Sequence, residues 1–525
     1  VCSAWAVPAR RGEIVKTQPD GTQIVVYQHG DEHFHWMTNE KGEWLKMDVD
    51  GFYRVTEALS AEQIEAKRMA APSRAAQAAT PLNIAPRGLV ILVNFTDVAF
   101  TTDKAEIDSM LTGKNYTRDY SYFYRGKKQS ITSKGSAWQY FYDSSNGHYD
   151  PQFDVIGPVT VSKNMAYYGK NVNDFDAAPW TMVKEACQLV DDSVDFKQYD
   201  NNNDGYVDFV YVIYAGYGEA DGGDKNTIWP HSYWLLEAGI TCKLDGKYVD
   251  LYACGNEMDS HTNYHTGIGT FCHEFSHVLG LPDLYETTGY GTYKTIGAWS
   301  ILDYGPYNND GNTPPAYSAY EQFFMGWLMP RLIVDAENVE LEELQASNSA
   351  LLISSSDQHN LIGNDPKPTT FYLLENRQQV GWDEYLPGHG LMLTKVQYDY
   401  NKWINNTVNN SSNRMGVDLI EADGKKPSSS SNGYTGKAGD LFPAGATEYL
   451  GITNHSIEDV SEQDGIIYFK YRGGIATSTE QVQTEETIVA IYNILGQKQA
   501  AVDIESLPHG TYVVVTTAGS KKIVR

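Results

Sequence analysis

Four features are scarce in this chain of 525 residues: cysteine, histidine, basic side chains and long apolar runs. Five cysteines without a CxxC pair are too few for a disulfide scaffold. No run of eighteen apolar residues occurs, so the sequence predicts no membrane span. The 40 bases are outnumbered by 67 acids, and the formal charge of −27 argues against nucleic-acid binding because it repels phosphate. This charge suits an acid-coated, cation-binding exported protein, and ordinary surface acidity explains it equally well.

Motifs that would mark several other chemistries are absent too. The chain contains no GxSxG, no GxxxxGK[ST] and no GxGxxG between a strand and a helix. The cysteines predict no nucleophile, since Cys272 is interpreted as a small core residue. Cys242 and Cys254 are close enough in sequence to form one disulfide in an exported protein, and both the bridged and the free forms remain open.

The composition and the spacing of apolar residues change several times along the chain, which predicts several domains. The first residues end in Ala4-Trp5-Ala6, the small-x-small pattern that signal peptidase accepts. Apolar runs at 88–95 and from Asp208 onward, with a helical pattern between them, indicate an α/β core with a mostly parallel or mixed sheet. The predicted order is a signal-peptide remnant (1–6), a small β-rich segment with an Ala-rich linker (7–85), the α/β core (86–330), a β-rich domain of the sandwich type (331–473), a polar linker (474–486) and a small β-sandwich module (487–525).

Two of the 13 histidines lie four residues apart in GTFCHEFSHVLGLPDLY, residues 269–285. Apolar residues at helical spacing predict a helix here, so the imidazoles of His273 and His277 project from one face, one turn apart. Such a pair can bind one Zn²⁺ at about 2.0–2.1 Å. Glu274 lies between the two histidines and is placed to accept a proton from the attacking water rather than to coordinate the metal.

A catalytic zinc also needs a third protein ligand and an open coordination position. Gly280 is suited to end the helix, because glycine accepts left-handed dihedrals. The chain can then reverse and bring Asp283 toward the metal, which makes the pattern HExxHxxGxxD. HExxH alone would arise by chance in roughly one such chain in fifty, and the added glycine and acid lower that chance by about two orders of magnitude. The alternative is a structural histidine pair with a surface glutamate.

The stretch IGAWSILDYG (296–305) stands where related zinc sites carry a methionine turn. Leu302 occupies the methionine position, and since leucine keeps the volume and the apolar character, we expect an apolar floor beneath the metal. Tyr304 follows two residues later and could hydrogen-bond the reacting oxygen during catalysis. A purely structural tyrosine is the alternative.

A second cation site, for calcium, is predicted in DNNNDGYVD. The residues that match calcium-loop positions 1, 3, 5, 7 and 9 are Asp200, Asn202, Asp204, Tyr206 (through its carbonyl) and Asp208. Position 12 holds Tyr211 instead of a bidentate glutamate, so this loop lacks the second helix of an EF-hand. The alternative is a turn held by Asx hydrogen bonds that binds no ion.

Other polar residues are weaker candidates for metal or substrate binding. His33 and His35 alternate in the N-terminal segment and could bind a metal, although surface histidines are the favoured interpretation. The remaining candidates are possible cleft residues or substitute acidic ligands: His231, His261, His265, Glu321 and Glu375.

Four segments together resemble the M6 family of secreted bacterial metallopeptidases, the immune inhibitor A type. They are YVDFVYVIYAGYGEA, HEFSHVLGLPDLYETTGYG, SAYEQFFMGW and YLLENRQQVGWDEYLPGHGLML, and the likeness runs from about residue 86 into the 450s. The resemblance implies a zincin fold and the roles described above for the HExxHxxGxxD run. QPDGTQIVVYQHGDEHFHWMT is similar to that family's propeptide, which implies latency until cleavage in the Ala-rich linker. Arg68, Arg74 and Arg87 are the candidate cleavage points.

The C-terminal stretches YNILGQ and LPHGTYVVV are similar to the sorting domain of the type IX secretion pathway. This resemblance implies that the last module is an export address for the type IX machinery and takes no part in catalysis. It also implies export through the outer membrane of a Gram-negative bacterium, to the cell surface or the medium.

The sequence therefore predicts a secreted, monomeric zinc endopeptidase that is made latent, binds Zn²⁺ and Ca²⁺ and acts on proteins or peptides. The main alternative is a catalytically inactive surface-binding protein with structural zinc and calcium. Glu274 argues against that alternative, because a structural site has no use for a base. A third possibility, a hydrolase of non-peptide amides, rests only on shared zinc chemistry.

Overall fold

The computed structural model describes residues 7–31, 34–48, 50–60, 63–64, 87–172, 175–288, 295–425, 436–475, 488–493, 497–499, 507–508, 511–516 and 519–524. These residues fall into two units, Val1–Gly474 and Ile475–Arg525. No described helix has both the length and the apolar character needed to cross a bilayer.

The first unit begins with an antiparallel sheet of five strands in sequential order. Its strands are β1 (Ile14–Thr17), β2 (Gln23–Asp31), β3 (Phe34–Thr38), β4 (Trp44–Met47) and β5 (Tyr53–Val55). Buried and half-exposed positions alternate along most of β2, as expected for a sheet that packs on one face. The strands predicted in this segment are confirmed.

The α/β core contains twelve strands and six α-helices among the described residues. Its strands are β6 (Arg87–Asn94), β7 (Thr117–Tyr124), β8 (Lys127–Lys134), β9 (Gln152–Thr160), β10 (Asn171–Val172), β11 (Phe175–Asp176), β12 (Tyr206–Val207), β13 (Val210–Tyr217), β14 (His231–Trp234), β15 (Cys242–Leu244), β16 (Lys247–Val249) and β17 (Leu251–Met258). Its helices are α1 (Lys104–Thr112), α2 (Ala137–Ser144), α3 (Met165–Gly169), α4 (Pro179–Val190), α5 (Gly269–Val278) and α6 (Ala319–Met325). Short 3₁₀ turns lie at Asp191–Ser193, Phe196–Tyr199, Gly297–Trp299 and Gly305–Tyr307.

The central sheet of the core is mixed, in the order β14–β17–β13–β6–β9. The four strands β17, β13, β6 and β9 are parallel to one another, and the edge strand β14 pairs antiparallel with β17. The interiors of β6, β13 and β17 are buried, because helices and loops cover both faces of a parallel sheet. The α/β prediction with a mixed sheet is therefore confirmed, as is the helix predicted before Asp208. Arg87 is the first residue of β6 and pairs with Asp154, so its backbone is not an exposed linker site.

Each face of the central sheet has its own apolar cluster. On one face α4 packs through Met182, Val183 and Cys187. On the other face α5 packs through Phe271 and Phe275. This second cluster holds the predicted zinc helix against the sheet.

A mostly antiparallel region follows the core. Its strands are β18 (Arg331–Leu332), β19 (Glu337–Leu341), β20 (Leu351–Ser354), β21 (Thr370–Arg377), β22 (Gly390–Gln397), β23 (Val417–Leu419), β24 (Ile457–Gln463) and β25 (Ile466–Tyr471), with helices α7 (Leu344–Ser347) and α8 (Tyr400–Ile404) and 3₁₀ turns at Gly381–Asp383 and Ala438–Asp440. They form a five-stranded sheet, β18–β20–β21–β22–β23, and a three-stranded sheet, β19–β25–β24. Both sheets contribute side chains to one apolar cluster.

Within its described residues, the second unit contains three antiparallel strands in sequential order. They are β26 (Ile488–Asn493), β27 (Thr511–Thr516) and β28 (Gly519–Val524). Ile491, Leu507, Tyr512 and Val514 form its apolar cluster.

Candidate metal centre

The two histidines are positioned by helix α5, which is buried along its length. Phe271 and Phe275 lie one turn apart on the face that meets the sheet, where Phe275 contacts the rings of Phe153 and Phe209. Gly280 has a φ of 95°, the left-handed conformation predicted for the end of this helix. The chain reverses there, which brings the residues after Gly280 back beside the helix.

Three ligand atoms converge at this reversal. The Nε2 atoms of His273 and His277 are 3.0 Å apart, and each lies 3.3 Å from Oδ1 of Asp283. Among the described residues, this is the one group of three or more His, Cys, Asp or Glu whose ligand atoms all lie within 4.8 Å of one another. The cluster that the sequence pattern predicts is therefore present.

Both imidazoles are held with Nε2 directed toward the cluster. Nδ1 of His273 donates to the carbonyl of Ile301 at 2.7 Å, and Nδ1 of His277 donates to the carbonyl of Leu281 at 2.8 Å. A carbonyl can only accept, so each Nδ1 carries the hydrogen and each Nε2 keeps its lone pair for a metal.

Asp283 is clamped by a residue of the β-rich region. Its backbone N–H donates to Oδ1 of Asn406 at 2.7 Å, and Nδ2 of Asn406 donates to Oδ2 of Asp283 at 2.5 Å. Asn406 is 1% exposed, and its carbonyl accepts a hydrogen bond from Thr287. Asn406 follows α8, more than a hundred residues after the zinc motif, and sequence reasoning missed it. Its only sequence signal was the polar run NNTVNN after a predicted strand.

The donor set fits zinc. Four tetrahedral ligands at about 2.0–2.1 Å from zinc stand roughly 3.3 Å from one another, which is close to the separations found here. Oδ1 of Asp283 is buried and has no hydrogen-bond donor among the described residues. Burial would raise the pKa of Asp283, but positive charge at the cluster, carried by the imidazoles (His277 first) when no metal is bound, holds it well below its usual value. The charged carboxylate is the form a cation requires.

The loop beneath the cluster contains the two residues compared with a methionine turn. Leu302 is fully buried, and its carbonyl accepts the backbone N–H of Leu284 at 2.7 Å, next to Asp283. It belongs to the same apolar cluster as Phe275, as expected for an apolar floor. Burial raises the pKa of Tyr304, although the guanidinium of Arg11 opposes this.

Residues 7–11 lie along the same site. The backbone N–H of Val7 donates to Oε1 of Glu274 at 2.9 Å, and the carbonyl of Val7 accepts from the Trp229 indole at 3.1 Å. The hydroxyl of Tyr307 donates to the carbonyl of Pro8 at 2.7 Å. Val7 is 1% exposed, so the segment is tightly covered.

Arg11, in the same segment, contacts Tyr304. Its Nη2 donates to the hydroxyl of Tyr304 at 2.8 Å, and its guanidinium lies 4.0 Å from the centroid of that ring. The N-terminal segment therefore touches both residues predicted to act in catalysis.

His35 forms a second link between the N-terminal sheet and the core. Its Nε2 lies 3.0 Å from Oε1 of Glu219, and its ring stacks on Trp229. Burial alone would lower the pKa of His35, but Glu219 and Asp31 raise it above the usual value. His35 is thus an interface residue rather than the surface histidine favoured from the sequence. His33 lies outside the described residues.

This link predicts a pH dependence. A histidine whose pKa is raised by folding stabilises the folded state below its unfolded pKa of about 6.5, and this contribution is lost as the pH rises through the raised value. We expect His35→Gln to destabilise the protein by on the order of 1–3 kcal/mol at about pH 5.5 and by clearly less at about pH 8.5. Urea unfolding at the two pH values measures the difference, and an equal loss at both would contradict the prediction.

The loop predicted to bind calcium is closed by hydrogen bonds. Asp200 accepts the backbone N–H groups of Asp204 and Gly205 and pairs with the ammonium of Lys247. Oδ2 of Asp208 accepts two hydrogen bonds from Asn201. The carboxylates of this loop do not meet as a metal cluster within the described residues. Calcium binding therefore stays a prediction, and an ion would compete with Lys247 for Asp200.

The calcium prediction can be tested by stability. At about 100 times its Kd, a ligand of the folded state adds about 2.7 kcal/mol, so Ca²⁺ should raise the melting temperature measurably. Asp204→Asn keeps the acceptor for the Tyr206 N–H but removes a charge that the ion needs, and should reduce this rise. Thermal unfolding with and without Ca²⁺ gives the measurement, with the exposed Asp192→Asn as the control. The same melting temperature in wild-type protein with and without Ca²⁺ would favour the ion-free turn.

The structure separates the weaker candidates. His231 is buried beside Tyr252 and the carbonyl of Trp229, and His265 is buried near Arg118. His261 lines a cavity beside the N-terminal segment. None of these three histidines belongs to the metal cluster.

The two substitute ligands also have other partners. Glu321 caps α6 through the backbone N–H of Ser318, and Glu375 accepts the backbone N–H of Ala319. Burial raises the pKa of Glu375 to about 7. Neither acid lies in the cluster, so Asp283 needs no replacement.

Of the two forms left open for Cys242 and Cys254, the structure contains the free one. Cys187, Cys242, Cys254 and Cys272 are free and buried. Cys242 lies beside Cys187, and this contact raises the pKa of Cys187 and lowers that of Cys242. Cys254 contacts His231 instead. Cys272 is a core residue, as expected.

The mixed sheet, the helix beneath it and the His-His-Asp cluster define a candidate metallopeptidase of the α/β class. Residues 83–329 match the model of the immune inhibitor A peptidase M6 catalytic domain. The matched segment contains the mixed sheet and the His-His-Asp cluster.

Two kinds of curated relative are similar to the chain. The pre-pro-metalloprotease PrtV of Vibrio cholerae serotype O1 is 27% identical over 293 residues, which cover 49% of this chain and 31% of the relative. Immune inhibitor A of Bacillus thuringiensis subsp. alesti is 27% identical over 268 residues, which cover 45% of this chain and 39% of the relative. The chain thus spans about a third of the length of these relatives.

Proposed function

We propose that this protein is a zinc-dependent endopeptidase. The observation that carries the proposal is the convergence of His273, His277 and Asp283 next to Glu274. The two histidines and Glu274 lie on helix α5, Asp283 follows it, and the M6 match covers all of them. The three ligand atoms would hold one zinc and leave a coordination position open. Proteins and peptides are the proposed substrates, in keeping with the printed names of the relatives.

The residues around this position divide the chemistry between them. When bound, zinc supplies a Lewis acid that lowers the pKa of water toward 7 and polarises a peptide carbonyl. Glu274 takes the proton of the attacking water on its carboxylate and returns it to the leaving amine. Asp283 brings a negative charge that a third neutral histidine would lack, so it makes the metal a weaker Lewis acid. Tyr304 would donate a hydrogen bond to the substrate oxygen.

The N-terminal segment keeps the proposed enzyme latent. The backbone N–H of Val7 donates to the carboxylate of Glu274, and Arg11 donates to the hydroxyl of Tyr304. Both catalytic groups are therefore hydrogen-bonded to the N-terminal segment before a substrate binds. Cleavage in the Ala-rich linker, which ends at residue 85, would free the segment from the core. Arg68 and Arg74 remain proposed cleavage points and lie outside the described residues.

Export completes the proposal. The C-terminal module would direct the chain to the type IX secretion machinery, and the enzyme would act outside the cell as a monomer. The loop at Asp200–Asp208 would bind Ca²⁺ as a structural ion.

The function can be tested by comparing the full-length chain with the chain cleaved in its linker. We expect about one zinc per chain in both forms, and casein hydrolysis mainly in the cleaved form. A zinc chelator should abolish hydrolysis, and added zinc should restore it. Asp283→Ala should lose zinc, and the matched Asp192→Ala should keep it. A zinc-loaded cleaved chain that hydrolyses no protein would overturn the enzyme and favour the binding protein with structural zinc.

A further inference from the structure

Arg10 lies between Val7, which contacts Glu274, and Arg11, which contacts Tyr304. Its side chain inserts into a pocket formed by Asp221, Asp259 and Asp310. Its Nη1 donates to Asp259, its Nη2 donates to Asp310, and its side chain is 11% exposed. Burial alone would lower the pKa of Arg10, but Asp259, Asp310 and Asp221 raise it. The guanidinium is therefore charged and held on two sides.

The pocket is built independently of Arg10. Oδ1 of Asp259 accepts the backbone N–H groups of His261 at 2.7 Å and Thr262 at 2.9 Å, which leaves Oδ2 directed at the guanidinium. Asp221 adds a third carboxylate that is 8% exposed, and its Oδ1 has no hydrogen-bond partner among the described residues. Asp221 and Asp310 line the same cavity, of about 710 Å³, as Arg10.

Arg10 lies in the same short segment, residues 7–11, that contacts Glu274 and Tyr304. Arg10 follows Val7, the residue that contacts Glu274, by three positions. Three residues of extended chain span about 10 Å. The backbone N–H of Arg10 donates to the carbonyl of Ala220 at 2.8 Å, so the core holds this residue by its main chain as well as by its side chain. When the N-terminal segment leaves, Asp259 and Asp310 lose their cation, and uncompensated buried charge is strongly unfavourable. Burial raises the pKa of Asp221 to about 8, so this third acid gains its charge most readily when a cation is present.

We infer that in the active protein the pocket formed by Asp221, Asp259 and Asp310 is a substrate subsite for an arginine side chain, occupied before activation by Arg10. The inference rests on the proposed function. Arginine fits better than lysine, because its planar fork can reach Asp259 and Asp310 with separate nitrogens, whereas an ammonium is a single point charge.

The test uses the linker-cleaved protein and quenched fluorogenic peptides that differ in one residue. Arginine, lysine or the isosteric neutral citrulline is placed in turn at each position around the scissile bond. At one position we expect arginine to raise kcat/KM by about 30-fold or more over citrulline, with lysine between them. Asp259→Asn and Asp310→Asn should each move this ratio toward one, and Glu340→Gln, an exposed acid outside the pocket, should leave it unchanged.

The outcomes separate the two proposals. If no peptide and no casein is hydrolysed, the proposed function fails. If peptides are hydrolysed but arginine and citrulline are equivalent at every position, the subsite fails and the pocket only anchors the N-terminal segment. An arginine preference that survives both Asp259→Asn and Asp310→Asn also overturns it, because the preference then arises elsewhere. Two variants are used so that misfolding of one leaves the test intact.

Discussion

Glu274→Gln is expected to lower casein hydrolysis by the linker-cleaved protein about 10²–10⁴-fold, the usual contribution of a general base. Glutamine keeps the shape of the side chain but cannot accept the proton of the attacking water. Glu274 is fully buried on the same helix as His273 and His277, yet it is not a member of the His-His-Asp cluster. Zinc content and melting temperature should therefore stay near the wild-type values. The measurement is kcat/KM alongside metal analysis and thermal unfolding.

Glu375→Gln is the matched control. Glu375 is another buried acid, 1% exposed, and its pKa is raised to about 7, so glutamine resembles its protonated form. Its carboxylate accepts the N–H of Ala319, which the amide oxygen of glutamine can also accept. We expect little change in hydrolysis. If Glu274→Gln were as active as this control, Glu274 would not be the base.

Asn406→Gly should weaken zinc binding by about 10–100-fold, the usual effect of removing a residue that orients a metal ligand. Asn406 holds both the backbone and the carboxylate of Asp283, and without it the carboxylate can turn away from the histidines. Glycine is chosen because Asn406 has a φ of 52°, where an alanine would add strain of its own. Competition with a fluorescent zinc chelator measures the affinity.

Asn454→Gly controls for the backbone change. Asn454 also has a left-handed φ, 63°, and is exposed in the same β-rich region. Its replacement should leave zinc affinity unchanged. Equal affinities for Asn406→Gly, Asn454→Gly and the parent would show that Asp283 is positioned by its own loop alone.

The metal cluster could be predicted because its information is local. His273 and His277 are one helical turn apart in any α-helix, and Gly280 ends that helix wherever it lies in the fold. Asp283 then needs only a short reversal. The buried strands and α4 were equally readable, since continuous apolar runs and helical spacing act over a few residues.

Several other contacts join residues that are far apart in the sequence, and these could not be predicted from local patterns. Cys242 meets Cys187 rather than Cys254, because the partner in a folded chain need not be near in sequence. His35 lies in a polar stretch of sequence that is typical of a surface strand, but in the fold its ring stacks on Trp229. Asn406 lies 123 residues from Asp283, and no spacing rule connects them.

By itself, the sequence determined the chemistry at the centre: an imidazole pair, an adjacent base and a returning acid. The tertiary structure alone decided what surrounds them. It placed Val7 on Glu274, Arg10 among three carboxylates and Asn406 on Asp283. The physical reason is that helix periodicity carries a motif of eleven residues, whereas these other contacts form only when the apolar faces of separate segments pack together and bring their polar groups within hydrogen-bond distance.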